Sequence, residues 1–217
     1  IRLMAEDADD EELKQAASCV STEEQARELL EEWSDENDCL IPFLQVFNPH
    51  RGGTAAAKVI EQVALDPSLG HVASDLLGVR GVRLYQSAIF YKAAGHGETS
   101  WHADLATAPL DSNAMVTCWI PLSPVTTHAD SPLEFASGSH RDLALPYWYS
   151  NAGMEDPSAD PREYEVASHV PLAGGDSTWH HGWVFHSAPP NESTRDRVAL
   201  ALSFVSQDAF LLSGKRC

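Results

Sequence analysis

Ser100-Trp101-His102-Ala103-Asp104 places an imidazole and a carboxylate two residues apart in a segment with the character of a β-strand. Successive side chains of a strand point to opposite faces, so His102 and Asp104 are predicted to share one face and to bind one metal ion together. Two protein ligands do not complete a metal site. A third ligand is therefore expected further along the chain.

His186 is the best candidate for the third ligand. It ends the apolar run Trp183-Val184-Phe185 and precedes a Pro-Pro turn. Arg197 follows it at a spacing suited to a neighbouring antiparallel strand. The sequence therefore predicts that His186 and Arg197 lie on adjacent strands near the metal.

His180 and His181 are the alternatives for this position. They lie between a Gly-Gly turn and Gly182, which indicates a bend, so His186 is favoured over the pair. His140 lies in a predicted turn and is expected to fix a loop rather than to bind a metal.

Two histidines and one carboxylate form the facial triad of non-heme Fe(II) oxygenases, which leaves half of the coordination sphere open. An isolated His-x-Asp pattern is weak evidence for such a site. The ordered combination with a distant histidine and then an arginine is more specific, because a dicarboxylate co-substrate needs a cationic fork at the far end of the pocket. Arg197 is predicted to be that fork.

The hydrophobic period changes from helical to alternating after Gly81. Short strands are predicted over 82–91, 100–104, 114–122, 133–135, 165–171, 177–179, 184–187 and 197–206. Helices followed by many short strands predict a mainly β fold with flanking α-helices, a jelly-roll, cupin-like barrel.

The chain is predicted to form a single domain over 1–217, in which residues 1–80 are a mostly helical buttress and 81–206 are the jelly-roll core. Helices are predicted over 12–33, 54–65 and 68–77, with an edge strand over 38–47. The insert over 143–161 is long and contains three consecutive aromatic residues at 147–149, so we predict that it is a lid over the substrate.

The overall charge and composition narrow the possible partners. The 14 Lys and Arg residues against 32 acids give a formal net charge of −18, which argues against a nucleic-acid partner. No apolar run approaches the roughly 20 residues that span a bilayer.

The four cysteines show no closely paired spacing, so a reduced, intracellular and cytoplasmic location is expected. A removed organelle-targeting segment would leave no trace in a sequence that opens on Ile1. Nothing in the sequence indicates an oligomeric state.

Four segments resemble the phytanoyl-CoA dioxygenase family of Fe(II)/2-oxoglutarate oxygenases over about 82–206. They are Trp101-His102-Ala103-Asp104, Val116-Thr117-Cys118-Trp119-Ile120-Pro121-Leu122, Ser137-Gly138-Ser139-His140, and His186-Ser187-Ala188-Pro189-Pro190-Asn191 through Arg197. The resemblance implies a double-stranded β-helix. It also implies that His102, Asp104 and His186 are iron ligands, and that Arg197 anchors the distal carboxylate of 2-oxoglutarate.

The same resemblance implies further contacts in the co-substrate pocket. Trp119 would line that pocket, with Thr117 on the same strand. The family often has His-Gly-Ser-Gly where this chain has His186-Ser187-Ala188-Pro189, so the serine contact is expected to pass to Ser187.

The activity implied is oxidation of a small-molecule substrate with Fe(II), 2-oxoglutarate and O2, releasing succinate and CO2. Asp104 favours hydroxylation, because related halogenating enzymes have a small residue at that position. An acyl-CoA substrate would require a basic patch, for which Arg80, Arg83, Lys92 and Arg141 are candidates, and a carrier-free metabolite is slightly favoured. Two alternatives remain: a cupin-like isomerase without oxygenase activity, and a silent binding protein.

Overall fold

The computed structural model describes Gln25, Glu28 and residues 41–142 and 164–212. Apart from those two residues, the predicted helix over 12–33 lies outside the described part of the chain, and so does the predicted lid over 143–161. The described elements, in chain order, are β1 (Leu44–Phe47), α1 (Ala55–Ala64), α2 (Pro67–Leu77), β2 (Val82–Lys92), β3 (Thr99–His102), β4 (Met115–Pro121), β5 (Glu134–Ala136), β6 (Val166–Ser168), β7 (Thr178–His181), β8 (His186–Ala188) and β9 (Arg197–Ser206).

The strands form two antiparallel sheets, with strand orders β1-β2-β9-β4-β7 and β3-β8-β5-β6. The prediction of a mainly β jelly roll with flanking helices is confirmed, and β1 is an edge strand as expected. Each strand predicted after Gly81 is present, with ends within three residues of the predicted ones.

Strand β9 is buried on both faces at the centre of the larger sheet. Its outer face presents Leu200, Leu202 and Phe204 to the hydrophobic core beneath the two helices. Its inner face presents smaller side chains, such as Ala201 and Ser203, to the space between the sheets. Because strand side chains alternate, a single segment supplies both the core and one wall of the site.

Helices α1 and α2 begin and end where the local sequence predicts. Thr54 caps α1, because its Oγ1 accepts the Ala57 N–H at 3.0 Å. Asp66 caps α2, because its Oδ1 accepts the Ser68 N–H at 2.8 Å. Gly78 ends α2 in the left-handed conformation at φ 64°. The helices pack on the larger sheet through the small residues Ala64 and Ala73. Among the described residues, no helix has the length and hydropathy needed to cross a bilayer.

The predicted strand over 100–104 is shorter than expected. Strand β3 ends at His102, and Asp104 begins a short 3-10 helix. The chain leaves the strand because the Leu105 N–H donates to the Gly182 carbonyl at 2.9 Å instead of continuing the β3 ladder. The two predicted ligands therefore meet through a strand end and a turn rather than through strand alternation alone.

His180 and His181 lie near a bend, as predicted, because a turn begins at Gly182, but both residues belong to strand β7. This strand pairs with β4, and Thr117 lies opposite His180. Side-chain alternation therefore directs the two histidines to opposite faces of the larger sheet.

Asn191 connects the loop after β8 to the loop after β2. Its side chain is 1% exposed, and its Nδ2 donates to the carbonyls of Lys92 (3.0 Å), Ala93 (3.0 Å) and Arg195 (2.8 Å). These bonds fix the chain just before β9 begins. They therefore help to place Arg197 at the start of that strand.

We predict that Asn191→Ala lowers the free energy of unfolding by about 2–4 kcal/mol, because buried carbonyl groups lose their donor. Urea denaturation followed by circular dichroism would measure the change. The exposed Glu192→Ala variant is the control and should stay within about 0.5 kcal/mol of the wild type. A similarly small change in Asn191→Ala would contradict the assigned role.

Candidate metal centre

The structure brings the three predicted metal ligands together. His102 and His186 are cross-strand partners on β3 and β8, and their ring centroids lie 4.2 Å apart. Asp104 Oδ1 lies 4.0 Å from His102 Nε2 and 3.7 Å from His186 Nε2. The potential ligand atoms of the three residues all lie within 4.8 Å of one another, a geometry that one metal ion can bridge.

Backbone carbonyls orient both imidazoles. His102 Nδ1 lies 2.8 Å from the Ser100 carbonyl, and His186 Nδ1 lies 3.0 Å from the Val184 carbonyl. A histidine that donates through Nδ1 keeps the lone pair of Nε2 free for a metal. Burial holds the pKa of His186 well below its ordinary value, so the ring is neutral, as a ligand must be. This donor set fits Fe(II).

Asp104 lies at the centre of this cluster. Burial by itself would raise its pKa, but nearby imidazoles, His186 foremost, and a hydrogen bond from His180 together hold the pKa well below its ordinary value. The side chain keeps 23% exposure. Asp104 is therefore an ionised carboxylate at the edge of an open space.

The second oxygen of Asp104 has two neighbours that can donate hydrogen bonds to it. Thr117 Oγ1 donates to Oδ2 at 2.6 Å, and His180 Nε2 lies 3.3 Å from the same atom. Thr117 Oγ1 also lies 3.1 Å from Ser203 Oγ, which can donate in turn. The single hydroxyl proton of Thr117 is thus committed to Asp104, and the predicted contact of Thr117 with a co-substrate stays a prediction.

Arg197 is 4% exposed and begins strand β9 of the larger sheet. The prediction that it lies on a strand adjacent to that of His186 is wrong, because β8 belongs to the smaller sheet. Its Nη1 donates to the Ser131 carbonyl at 3.2 Å, and its guanidinium carbon lies 5.4 Å from the centre of the Trp119 ring. Among the described residues, its Nε has no hydrogen-bond partner. Burial lowers the pKa of Arg197 to about 10, so it remains a cation at neutral pH.

Lys92 lies directly opposite Arg197 in the antiparallel pairing of β2 and β9. It is 0% exposed, and its Nζ donates to the carbonyls of Pro189 (2.9 Å) and Ala188 (3.4 Å). Burial, followed by repulsion from Arg197, lowers the pKa of Lys92 to about 7. None of the ion pairs found in the described ranges includes either basic residue. Two buried basic groups that form no ion pair with a described residue indicate an anion site.

The other predicted co-substrate contact, Ser187, faces away from the metal ligands. It follows His186 on β8, so its side chain points to the opposite face of the strand. Its hydroxyl is 3.4 Å from Glu134 Oε2. Ser187 is therefore a poor candidate for a co-substrate contact.

Several buried polar atoms in the described part of the chain lack partners. Four of them lie on strands of the larger sheet: Gln45 Oε1 on β1, Thr178 Oγ1 and His180 Nδ1 on β7, and Arg197 Nε on β9. Buried polar groups normally form hydrogen bonds. Their presence on strands of the larger sheet is consistent with a polar molecule binding between the sheets.

A cavity of about 410 Å³ opens beside His102 and Asp104. Aromatic side chains supply much of its wall: Phe43, Phe47, Tyr85, Phe90, Trp101 and Phe185. Gln45 and Gln86 add neutral polar groups, and no Lys or Arg is among the described residues that line it. The cavity therefore suits an uncharged and largely apolar molecule.

The basic residues considered for acyl-CoA binding do not form one patch. Arg80 pairs with Asp208 at 3.2 Å, with both side chains largely exposed. Arg83 and Lys92 lie near opposite ends of β2. Because a strand rises by about 3.3 Å per residue, they are separated by about 30 Å. Neither they nor Arg141 line the cavity.

His140 and His181 do not belong to the cluster of potential metal ligands in the described part of the chain. His181 Nδ1 accepts the Trp183 N–H at 3.1 Å, and its ring lies 5.5 Å from that of His140.

The sequence prediction overlooked His180 as a partner of Asp104, and considered Lys92 only as part of a surface patch. A lysine at the end of an apolar strand was the available signal for Lys92, whereas His180 could not be recognised without the pairing of β7 with β4.

The fold and site can be compared with known proteins. The non-heme alpha-ketoglutarate-dependent epimerase SnoN from nogalamycin biosynthesis is 21% identical, with 93% of this chain and 86% of SnoN covered and a TM-score of 0.65. The carbocyclase SnoK from the same biosynthesis is 22% identical, with 88% and 79% covered and a TM-score of 0.66. EctD from S. alaskensis is 19% identical, with 94% and 72% covered and a TM-score of 0.62.

At these identities the solved structures establish the fold, which agrees with the predicted double-stranded β-helix. No curated protein sequence matches the chain significantly. The family model for phytanoyl-CoA dioxygenase (PhyH) matches residues 9–199, most of the chain. The chain therefore belongs to the phytanoyl-CoA dioxygenase family, as the motifs around His102 and His186 predicted.

Proposed function

We propose that the protein is an Fe(II)- and 2-oxoglutarate-dependent oxygenase that hydroxylates a small, uncharged and largely apolar metabolite. The observation that carries this proposal is the convergence of His102, Asp104 and His186, with the buried Arg197 on β9 of the facing, larger sheet. Family membership supports it, since the family consists of Fe/2-oxoglutarate-dependent enzymes. SnoN was crystallised with Fe3+ and alpha-ketoglutarate, and EctD with 2-oxoglutarate.

The proposed roles follow from position and charge. His102, Asp104 and His186 would hold the iron, while Arg197 would bind the distal carboxylate of 2-oxoglutarate, with Trp119 beside its guanidinium. Iron and 2-oxoglutarate, when bound, would supply the oxidising chemistry: one O2 oxidises 2-oxoglutarate to succinate and CO2 and converts a substrate C–H to C–OH. The protein would orient the substrate and exclude water.

Hydroxylation is the outcome that this chain's own residues favour. Asp104 occupies the carboxylate position that halogenating relatives leave small, so the site has three protein ligands. The buried pair Lys92 and Arg197 argues against a non-oxygenase isomerase, which would not need an anchor for a dicarboxylate. SnoN and SnoK are an epimerase and a carbocyclase, so the reaction of this chain must be measured directly.

The cavity wall is the basis for the proposed substrate class. Its aromatic side chains favour apolar rings or chains, and the neutral amides of Gln45 and Gln86 can bind a hydroxyl or carbonyl group. A CoA ester carries several phosphate charges that need basic partners. Because the lining includes no Lys or Arg among the described residues, a carrier-free substrate is proposed.

The metal assignment predicts that His102→Ala, Asp104→Ala and His186→Ala each lose stoichiometric Fe(II) binding and substrate-dependent succinate release. The physical reason is the loss of one of three ligands. Anaerobic iron titration and succinate analysis would measure both. His181→Ala, on the opposite face of β7, is the control and should keep both properties. Full iron binding by His186→Ala would contradict the assignment.

The cavity predicts that succinate formation is stimulated by carrier-free, uncharged compounds and not by their CoA thioesters. Matched pairs of a neutral ester and the corresponding CoA thioester should be tested at equal concentration, with product identified by mass spectrometry. Replacing Ala88 in the cavity wall with Phe should raise KM for the neutral substrate while leaving Fe(II) affinity unchanged. Preferred turnover of the thioester would contradict the proposed substrate class.

The buried position of Lys92 predicts a pH-dependent stability. Its folded pKa of about 7 lies below the ordinary value of 10.5, so between these values the unfolded chain binds a proton that the folded chain lacks. The free energy of unfolding therefore receives a contribution from Lys92 that rises with pH, by up to about 1.4 kcal/mol per unit.

Lys92→Met should remove this contribution, which denaturation at pH 7.5, 8.5 and 9.5 would show as a smaller rise than in the wild type. The exposed Lys58→Met on α1 is the control and should keep the wild-type pH profile. Parallel pH profiles for the wild type and Lys92→Met would contradict the prediction.

A further inference from the structure

His180 lies beside the carboxylate of the proposed metal centre without belonging to the ligand cluster. Its side chain is 3% exposed, and its Nε2 lies 3.3 Å from Asp104 Oδ2. Its ring centroid lies 4.3 Å from that of His186. The cluster of potential metal ligands in the described part of the chain comprises His102, Asp104 and His186, without His180.

We propose that His180 is a positioning residue that makes Asp104 bind the metal through one oxygen. The inference rests on the proposed function. Thr117 and His180 both approach Oδ2, at 2.6 and 3.3 Å, whereas Oδ1 is the oxygen nearest to the Nε2 atoms of His102 (4.0 Å) and His186 (3.7 Å). Two donors hold Oδ2 away from the metal, and Oδ1 is left to coordinate it.

The larger sheet holds both donors in register. Thr117 on β4 and His180 on β7 are directly paired, so their side chains leave the same face of the sheet side by side. The His180 ring is also packed between Phe135, at a centroid distance of 5.4 Å, and His186. This packing restricts the ring and keeps Nε2 directed at Oδ2.

The number of carboxylate oxygens on the metal determines how many positions remain open. A facial triad with a monodentate carboxylate leaves three positions of an octahedral ion free, which accommodates a chelating 2-oxoglutarate and O2. A bidentate Asp104 would occupy one of those positions. His180 would therefore support co-substrate binding as well as metal affinity, without touching either molecule.

The test compares His180→Phe, which removes the donor and keeps a planar ring, with His180→Gln, whose amide can still donate to Oδ2. Anaerobic Fe(II) and Co(II) titrations would measure metal affinity, and the Co(II) ligand-field spectrum would report the coordination geometry. His180→Phe should bind metal about 10- to 100-fold more weakly and show an altered spectrum. His180→Gln should restore the spectrum and most of the affinity. His181→Phe, on the same strand but the opposite face, should match the wild type.

A wild-type metal affinity and spectrum in His180→Phe would overturn the proposal. It would also be overturned if His180→Gln lost metal as completely as His186→Ala, because His180 would then be a ligand. If thermal unfolding shows that His180→Phe does not fold, Thr117→Val provides the second test and must alter the Co(II) spectrum. Loss of metal in His186→Ala with a wild-type spectrum in His180→Phe would reject the positioning role alone. Wild-type metal affinity in both variants would reject the proposed function as well.

Discussion

The burial of strand β9 on both faces is the constraint on which the rest of the structure depends. Leu200 and Leu202 on its outer face pack beneath the helices, while Arg197, Ala201 and Ser203 on its inner face border the space between the sheets. A shift of one residue in the register would exchange the two faces. The packing of the hydrophobic core therefore also sets the position of the proposed co-substrate anchor.

The charges inside the barrel are consistent with a site that binds metal and dicarboxylate together. Asp104 is an ionised carboxylate, and Arg197 is a buried cation without an acidic partner in the described part of the chain. The charge of a divalent metal would cancel that of a doubly charged 2-oxoglutarate. The negative charge of Asp104 likewise cancels the positive charge of Arg197. Buried charges are costly unless they are paired, so each bound species offsets the charge of another.

The site is divided between a polar part and an aromatic part. On the inner face of the larger sheet, Thr117 and His180 approach Asp104, and Ser203 lies within hydrogen-bond distance of Thr117. The aromatic part includes Phe47, which ends the edge strand β1, and Phe43, which precedes that strand. Proteins of similar fold include an epimerase and a carbocyclase, so the fold does not specify the reaction. The residues proposed to bind the metal therefore differ from the aromatic residues proposed to select the substrate.

The sequence by itself determined the class of fold and the core of the candidate site. Alternating hydrophobicity after Gly81 predicted the strands, and the helices predicted over 54–65 and 68–77 match α1 and α2, because these signals are local. His102, Asp104, His186 and Arg197 were recognisable because their residue types and order match a known ligand pattern.

Only the tertiary structure decided which side chains surround these four. The partnership of His180 with Asp104 depends on the pairing of β7 with β4, and the approach of Lys92 to Arg197 depends on the register of β2 with β9. The direction of Ser187 away from the site likewise depends on which face of β8 is turned inward. Contacts between strands distant in the chain are determined by register and sheet packing, and no local sequence signal specifies them.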